Sequence, residues 1–241
     1  MRDASAPAWY GLAIPAYLFA FLAVDTGGQG RQLAIAALTW AVLAAACVPL
    51  APEQRLRVAL VIVAATIGEV TGSLLWGVYS YRLENLPAYI PPGHGLVYLS
   101  GLGLSVALQR HARKLVVAAA LAAATWGIAG LSLLPRLDVA GAFGVPLLLL
   151  ALWLGRNRAV YAGVFAVVCA LELYGTWLGI WTWHPELPGL GIPDGNPPSG
   201  VASGYVCFDV FAVVVAARLL KASNTVLLTP FAALTGRTAD K

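Results

Sequence analysis

The sequence predicts an all-α, polytopic integral membrane protein: about eight transmembrane helices built as two parallel four-helix repeats. Three observations predict it. Apolar stretches long enough to cross roughly 30 Å of hydrocarbon recur along the chain. Lys and Arg concentrate in alternate linkers between those stretches. A distinctive motif returns after about 102 residues.

Composition sets the class. Of the 241 residues, 60% are hydrophobic and 11% are charged, against about 25% charged in an ordinary soluble domain. A chain of this length has too little interior to hide so much apolar surface from water. The net charge of +4 comes from basic residues in short loops, without the stripe that would mark a nucleic-acid partner. Cys47, Cys169 and Cys207 are isolated within apolar blocks, with no Cys-x-x-Cys or zinc spacing, and read as small buried apolar residues.

The expected spans are 8–25, 31–49, 57–80, 93–109, 114–134, 138–154, 159–181 and 201–220. The first could pass for a signal peptide. Its only basic residue is Arg2, next to Asp3, and no clean cleavage site follows, so an uncleaved helix is expected. Gly27-Gly28-Gln29-Gly30-Arg31 closes span one, and Pro49 to Arg57 separates spans two and three. Arg110-His111-Ala112-Arg113-Lys114 separates spans four and five. This divides the chain into a first repeat (1–110), a second repeat (111–225) and a tail (226–241), where Val226 to Leu234 reads as a short interfacial helix.

With a cytoplasmic N-terminus, twelve of the fifteen Lys and Arg residues fall on the cytoplasmic side. Only Arg31, Arg82 and Arg136 face the other way. The expected location is therefore the cell membrane, with both termini cytoplasmic. Two outward linkers stand apart: Tyr81 to Pro92 and His184 to Gly200 are polar and rich in Pro.

Those linkers follow the repeated motif. One copy runs Glu69-Val70-Thr71-Gly72-Ser73, then Gly77-Val78-Tyr79-Ser80-Tyr81, then Ile90-Pro91-Pro92-Gly93-His94. The other runs Glu172-Leu173-Tyr174-Gly175-Thr176, then Gly179-Ile180-Trp181-Thr182-Trp183, then Ile192-Pro193-Asp194-Gly195-Asn196. One single-residue gap aligns them. An even number of spans separates the copies, so they share one orientation and relate the halves by an axis along the membrane normal. Spans three and four should then face seven and eight around a central cavity open toward the outer side. The pairs Gly68 with Gly72, and Gly175 with Gly179, read as sites of close helix approach.

Glu69, Glu172 and Asp209 fall within spans, Glu69 and Asp209 near the middle of theirs. Carboxyl groups there must face the bundle interior or a watered cavity, and no Lys or Arg lies mid-span to pair with them. A protonated acid opposite a carboxylate makes an acid–base pair. The competing reading is that these acids only join helices by hydrogen bonds. His94, at the outer mouth of span four, could exchange a proton or could cap the helix. Its counterpart Asn196 hydrogen-bonds but does not titrate. His184 is a weaker candidate, and His111 belongs with the cytoplasmic basic residues. Tyr79, Tyr81, Trp181 and Trp183 read either as an interfacial aromatic belt or as the wall of a lipophilic pocket. The spacing gives no ligand motif such as His-x-x-x-His and no span has a mid-helix lysine for a retinal Schiff base, so neither a metal nor another cofactor is expected.

Glu69, Thr71-Gly72, Gly77, Tyr79, Tyr81, and Pro87 followed by Ile90-Pro91 resemble the membrane carotenoid 1,2-hydratases, the family of bisanhydrobacterioruberin hydratase. In the second half, Trp181-Thr182-Trp183, Gly191-Ile192-Pro193 and Asn196 carry the likeness. It covers roughly 65–95 and 170–205. The resemblance implies addition of water across a terminal isoprenoid double bond without a soluble cofactor. Glu69 would be an acid or base, and the aromatic pairs would line a polyene pocket. The sequence departs from the family at Pro92-Gly93-His94-Gly95 and at Pro197-Pro198-Ser199-Gly200.

The leading expectation is thus a membrane enzyme acting on an isoprenoid or carotenoid-like lipid by carboxylate acid–base chemistry, with Glu69, Glu172, His94 and Asp209 catalytic. Tyr79, Tyr81, Trp181, Trp183 and Asn196 would bind substrate. A small proton-coupled transporter and a non-catalytic assembly protein stand as alternatives.

Overall fold

The computed structural model describes residues 6–234, with side chains through 219. Eight α-helices occur among the described residues: α1 (Tyr10–Val24), α2 (Gln29–Cys47), α3 (Pro52–Glu69), α4 (Ile90–Ala107), α5 (Ala112–Ser132), α6 (Val139–Leu154), α7 (Arg158–Trp177) and α8 (Val201–Leu234). Five helical segments are long and apolar enough to cross a membrane: α2, Pro52–Trp76, Gln109–Ser132, α7 and the Val201–Leu219 part of α8. The helices α1 and α6 are apolar but shorter. The outward surface of the bundle is apolar too, with Leu12, Leu75, Phe143, Trp153 and Trp177 all exposed. Several long apolar helices with apolar flanks suit a multi-pass membrane protein.

Local sequence explains most boundaries. Pro52 opens α3 and Pro91-Pro92 open α4, where proline's missing N–H costs nothing. Asp138 caps α6, accepting a hydrogen bond from the Gly141 N–H at 3.0 Å. Hydroxyls inside the helices satisfy themselves on the preceding turn: Ser73 donates to the Glu69 carbonyl and Thr176 to the Glu172 carbonyl, each at 2.7 Å. The segment Val226–Leu234, expected as a separate interfacial helix, continues α8, and residues 235–241 of the expected tail lie outside the described residues.

A π-helical stretch, Val70–Trp76, extends α3. A single π turn is what an α-helix makes of one inserted residue. The first motif copy has one residue more than the second between its Glu and its second Gly, and this stretch absorbs it. Both copies then turn through a left-handed glycine, Gly77 at φ 74° and Gly179 at φ 67°.

The linkers are not wholly irregular, which corrects the all-α expectation locally. Strands β1 (Tyr79–Tyr81) and β2 (Trp181–Trp183) pair antiparallel, with Tyr79 opposite Trp183, Ser80 opposite Thr182 and Tyr81 opposite Trp181. The outer bonds are reciprocal: Arg82 N–H donates to the Ile180 carbonyl and His184 N–H to the Val78 carbonyl, both at 2.9 Å. A short pair, β3 (Glu186–Leu187) with β4 (Ile192–Pro193), stiffens the second linker.

Helix α4 sits at the centre, against α1, α2, α3 and α7, while α8 packs on α3, α6 and α7. The helices α3, α4, α7 and α8 therefore surround one axis, as expected. The others are not equivalent: α1 lies on α4, whereas α5 lies on α6 and α7. Backbones meet most closely at Gly11 with Gly103, Gly101 with Gly163, and Gly141 with Gly200. A Cβ on Gly103 would stand 2.4 Å from the Gly11 nitrogen. Gly103→Val is expected to cost about 1–3 kcal/mol by overpacking, read from unfolding in mixed micelles; an unchanged unfolding midpoint would count against this contact.

Of the four glycines expected to join helices, Gly68 meets one, at Phe208 of α8, and the other three do other work. Gly72 and Gly175 leave room for the rings of Tyr79 and Trp181, which fold back over their own helices. Gly68 faces the Phe208 ring, and Gly179 makes the left-handed turn.

Candidate functional site

A cavity of about 370 Å³ lies among α1, α3, α4, α7, α8 and the β1–β2 ribbon. That is within the usual range of roughly 300–1,000 Å³ for small-molecule sites. Glu69, His94, Glu172, Tyr79, Tyr81, Trp181 and Trp183 all line it. Leu18, Phe21, Leu22, Val97, Leu171, Val201 and Phe208 make the rest of the wall largely apolar.

The two glutamates carry different donors. Glu69 Oε2 accepts from the hydroxyls of Tyr79 and Tyr81, both at 2.7 Å, and its Oε1 lies 3.0 Å from His94 Nε2. An ionised carboxylate only accepts, so both phenols serve as donors here. Glu172 Oε2 accepts from the indole N–H groups of Trp181 at 2.9 Å and Trp183 at 3.2 Å. Its Oε1 has no protein partner among the described residues. Each glutamate thus takes two donors from the strand that follows its own helix, because Gly77 or Gly179 reverses the chain. Alternation along a strand then aims residues two apart at one face.

His94 is not a helix cap. It is the fifth residue of α4, buried, and its ring centroid stands 5.0 Å from that of Tyr205. Neither glutamate is at mid-helix: both lie within the last third of their helices, beside the linkers, because α3 begins at Pro52 and its helix ends at Trp76.

Two expected residues lie elsewhere. Asn196 is exposed, and its side chain accepts from the Trp183 N–H at 3.0 Å. The insertion Pro197-Pro198-Ser199-Gly200 delays the start of α8 to Val201, so Asn196 stays in the linker while His94 enters a helix. Asp209 lines a separate, smaller cavity toward the basic end of the bundle, one turn beyond Tyr205. His184 is exposed and contributes its carbonyl to Arg136.

Sequence reading missed Tyr205, Phe208 and the buried supports of the linkers. Asp25, in the α1–α2 loop, accepts from Tyr89 at 2.6 Å and Arg82 at 3.0 Å. Asp138, in the corresponding loop before α6, accepts from Gly195 N–H at 2.9 Å and Ser199 N–H at 2.7 Å. Arg136 donates to the carbonyls of Asp194 (2.6 Å), Trp183 (2.8 Å) and His184. Two of the three basic residues that broke the charge pattern, Arg82 and Arg136, thus tie linkers in place. The only available signal was that exception.

Burial and the nearby Asp138 push Asp194 from an ordinary 3.8 up to about 7, against the opposing pull of Arg136. A raised folded pKa contributes stability fully present below the unfolded value and lost as pH rises through the folded one. Stability should therefore fall between about pH 3.8 and about 7, and Asp194→Asn should flatten that part of the profile. Thermal unfolding in one detergent across this window checks it; an identical slope in the variant would refute it.

Fold and site together define a helical, membrane-compatible protein with two unlike glutamates, Glu172 buried and Glu69 partly so, facing one aromatic, largely apolar cavity. Among the described residues no group of three or more His, Cys, Asp or Glu could hold a metal ion. Comparison with family models, curated proteins and solved structures finds no match.

Proposed function

We propose that this chain is an integral membrane enzyme that adds water to a terminal double bond of an isoprenoid or carotenoid-like lipid. In this reading eight helices span the cell membrane as two parallel four-helix repeats, with both termini cytoplasmic. The reciprocal β1–β2 register, centred on Ser80 and Thr182, supports the repeat. So do the two glutamates, each held by aromatic donors of its own strand.

One observation carries the chemistry: the two glutamates share a cavity but differ in their donors. An indole N–H can only donate, so Glu172 Oε2 is an acceptor and Oε1 is the oxygen that can carry a proton toward the cavity. Glu69, holding two phenols and an imidazole, is arranged as a carboxylate. Glu172 gives its Oε1 proton to one alkene carbon, whose π pair forms the new C–H bond. The charge left on the other carbon lies among aromatic rings. A water lone pair closes the C–O bond, and the surplus water proton passes to Glu69. Turnover is complete when Glu69 releases that proton and Glu172 regains one from water. The cavity lining ends at Val97 and Phe208, short of the basic end, which favours a substrate pocket over a transport path.

The test is mass spectrometry of lipid extracts from host cells with and without the gene. A precursor lighter than the lost product by one water should accumulate, and wild type but not Glu69→Gln should restore the product. An unchanged lipid profile, with the protein expressed in the parent, would sink the hydration reading.

A further inference from the structure

The basic end of the bundle holds a second polar site. A cavity of about 70 Å³ is lined by Arg57 of α3, Tyr98 and Leu102 of α4, Asn157 of the α6–α7 loop, Val160 and Tyr161 of α7, and Asp209 and Val213 of α8. One water needs roughly 10–15 Å³ measured this way and two to four polar partners, so several fit. Asp209 is buried, and its Oδ2 has no hydrogen-bond partner among the described residues. The Nε of Arg57 is likewise buried and unpartnered, although that guanidinium reaches Glu53 through another nitrogen. A buried carboxylate oxygen and a guanidinium N–H without partners, beside a space of water size, describe a hydrated site.

This space lies one helical turn from the larger cavity on two helices. On α4, His94 lines the larger cavity and Tyr98 the smaller; on α8, Tyr205 lines the larger and Asp209 the smaller. Four residues of helix rise about 6 Å, so the two cavities are offset by about one turn along both helices. The Nδ1 of His94 is likewise buried and unpartnered among the described residues, while its Nε2 meets Glu69.

We propose that the Asp209 cavity is a hydrated proton-exchange site linking the basic end of the bundle to the His94–Glu69 pair. Water at the basic end exchanges a proton with Asp209 Oδ2, and Asp209 exchanges it through a bridging water with His94 Nδ1. The imidazole passes a proton between Nε2 and Glu69 Oε1. Only O–H and N–H bonds form and break, and one proton moves in net. Such a path would drain the proton that Glu69 collects, so its purpose rests on the reaction proposed above. The exchange itself does not.

The test therefore uses no substrate. The full chain is reconstituted in liposomes and moved from H₂O to D₂O, with infrared difference spectra following carboxyl and imidazole bands. Wild type should show an exchanging carboxyl band that Asp209→Asn removes. Isotope exchange at the His94 imidazole, assigned with His94→Gln, should slow by about tenfold or more in Asp209→Asn and recover in Asp209→Glu. If Asp209→Asn fails to fold, Leu102→Phe fills the cavity from its lining and should produce the same slowing. Absence of an exchanging Asp209 band, or His94 exchange unchanged in the folded variant, overturns the proposal. A lipid profile that refutes hydration leaves this measurement intact, and a failed exchange measurement leaves the lipid result intact.

Discussion

Glu172→Gln is expected to lower turnover by about 10²–10⁴-fold, the usual worth of a positioned general acid. The variant should still fold. A glutamine carbonyl can accept the indole N–H groups of Trp181 and Trp183, which now meet Glu172 Oε2 at 2.9 and 3.2 Å. What it removes is the transferable proton on the oxygen facing the cavity. The measurement is product formation in membranes at matched expression, beside near-UV circular dichroism as a check on tryptophan packing. A variant with wild-type turnover would exclude Glu172 as the acid. Loss of turnover together with loss of the tryptophan signal would show Glu172 to be a support for the ribbon.

The largest stability effect is expected at Asp138, which does not itself line the cavity. Its carboxylate is buried and accepts backbone N–H bonds from Gly141, Gly195 and Ser199 at 3.0, 2.9 and 2.7 Å. Asp138→Ala leaves these three donors buried without an acceptor. At roughly 1–3 kcal/mol for each unsatisfied group, partly relieved by water, the loss is on the order of 3–5 kcal/mol. Asp138→Asn, with one acceptor oxygen instead of two, should lie between. Because Gly195 and Ser199 lead directly into α8, limited proteolysis of the second linker should accelerate in the alanine variant. Equal unfolding midpoints and cleavage rates in all three proteins would refute the assignment.

Asp25 offers a comparison from the other half. It receives side-chain donors, from Tyr89, Arg82 and Gln32, where Asp138 receives backbone. The two halves reach the same end, a linker anchored on a buried aspartate, with different partners. The difference follows the linkers themselves. The first enters its helix directly at Ile90, whereas the second carries the extra residues Pro197 to Gly200, among which the buried Ser199 has a backbone N–H that needs an acceptor.

Much of the site was legible because its residues break rules. Glu69 and Glu172 stood out as carboxyls in apolar runs, and Tyr79, Tyr81, Trp181 and Trp183 as aromatics at alternate positions in a repeated motif. All six line one cavity, with His94. Asn196 was misplaced because motif alignment assumes equal helix starts, and Pro197-Pro198-Ser199-Gly200 shifts one of them. Asp209 was misplaced because depth within an apolar run does not tell which end of a bundle a side chain serves. Tyr205 escaped notice because a tyrosine in a membrane helix breaks no rule.

The sequence by itself determined the helical class, the apolar segments and the two glutamates with their aromatic companions. These are local: they follow from hydrophobic run length and period-two alternation, each set within a short stretch of chain. Only the tertiary structure decided that β1 pairs with β2, that His94 meets Glu69, and that Gly72 and Gly175 seat rings instead of helices. It also decided that Asp209 belongs to a second cavity. Those relations join residues from separate helices, and they depend on how the helices stack and rotate against one another, which no local pattern encodes.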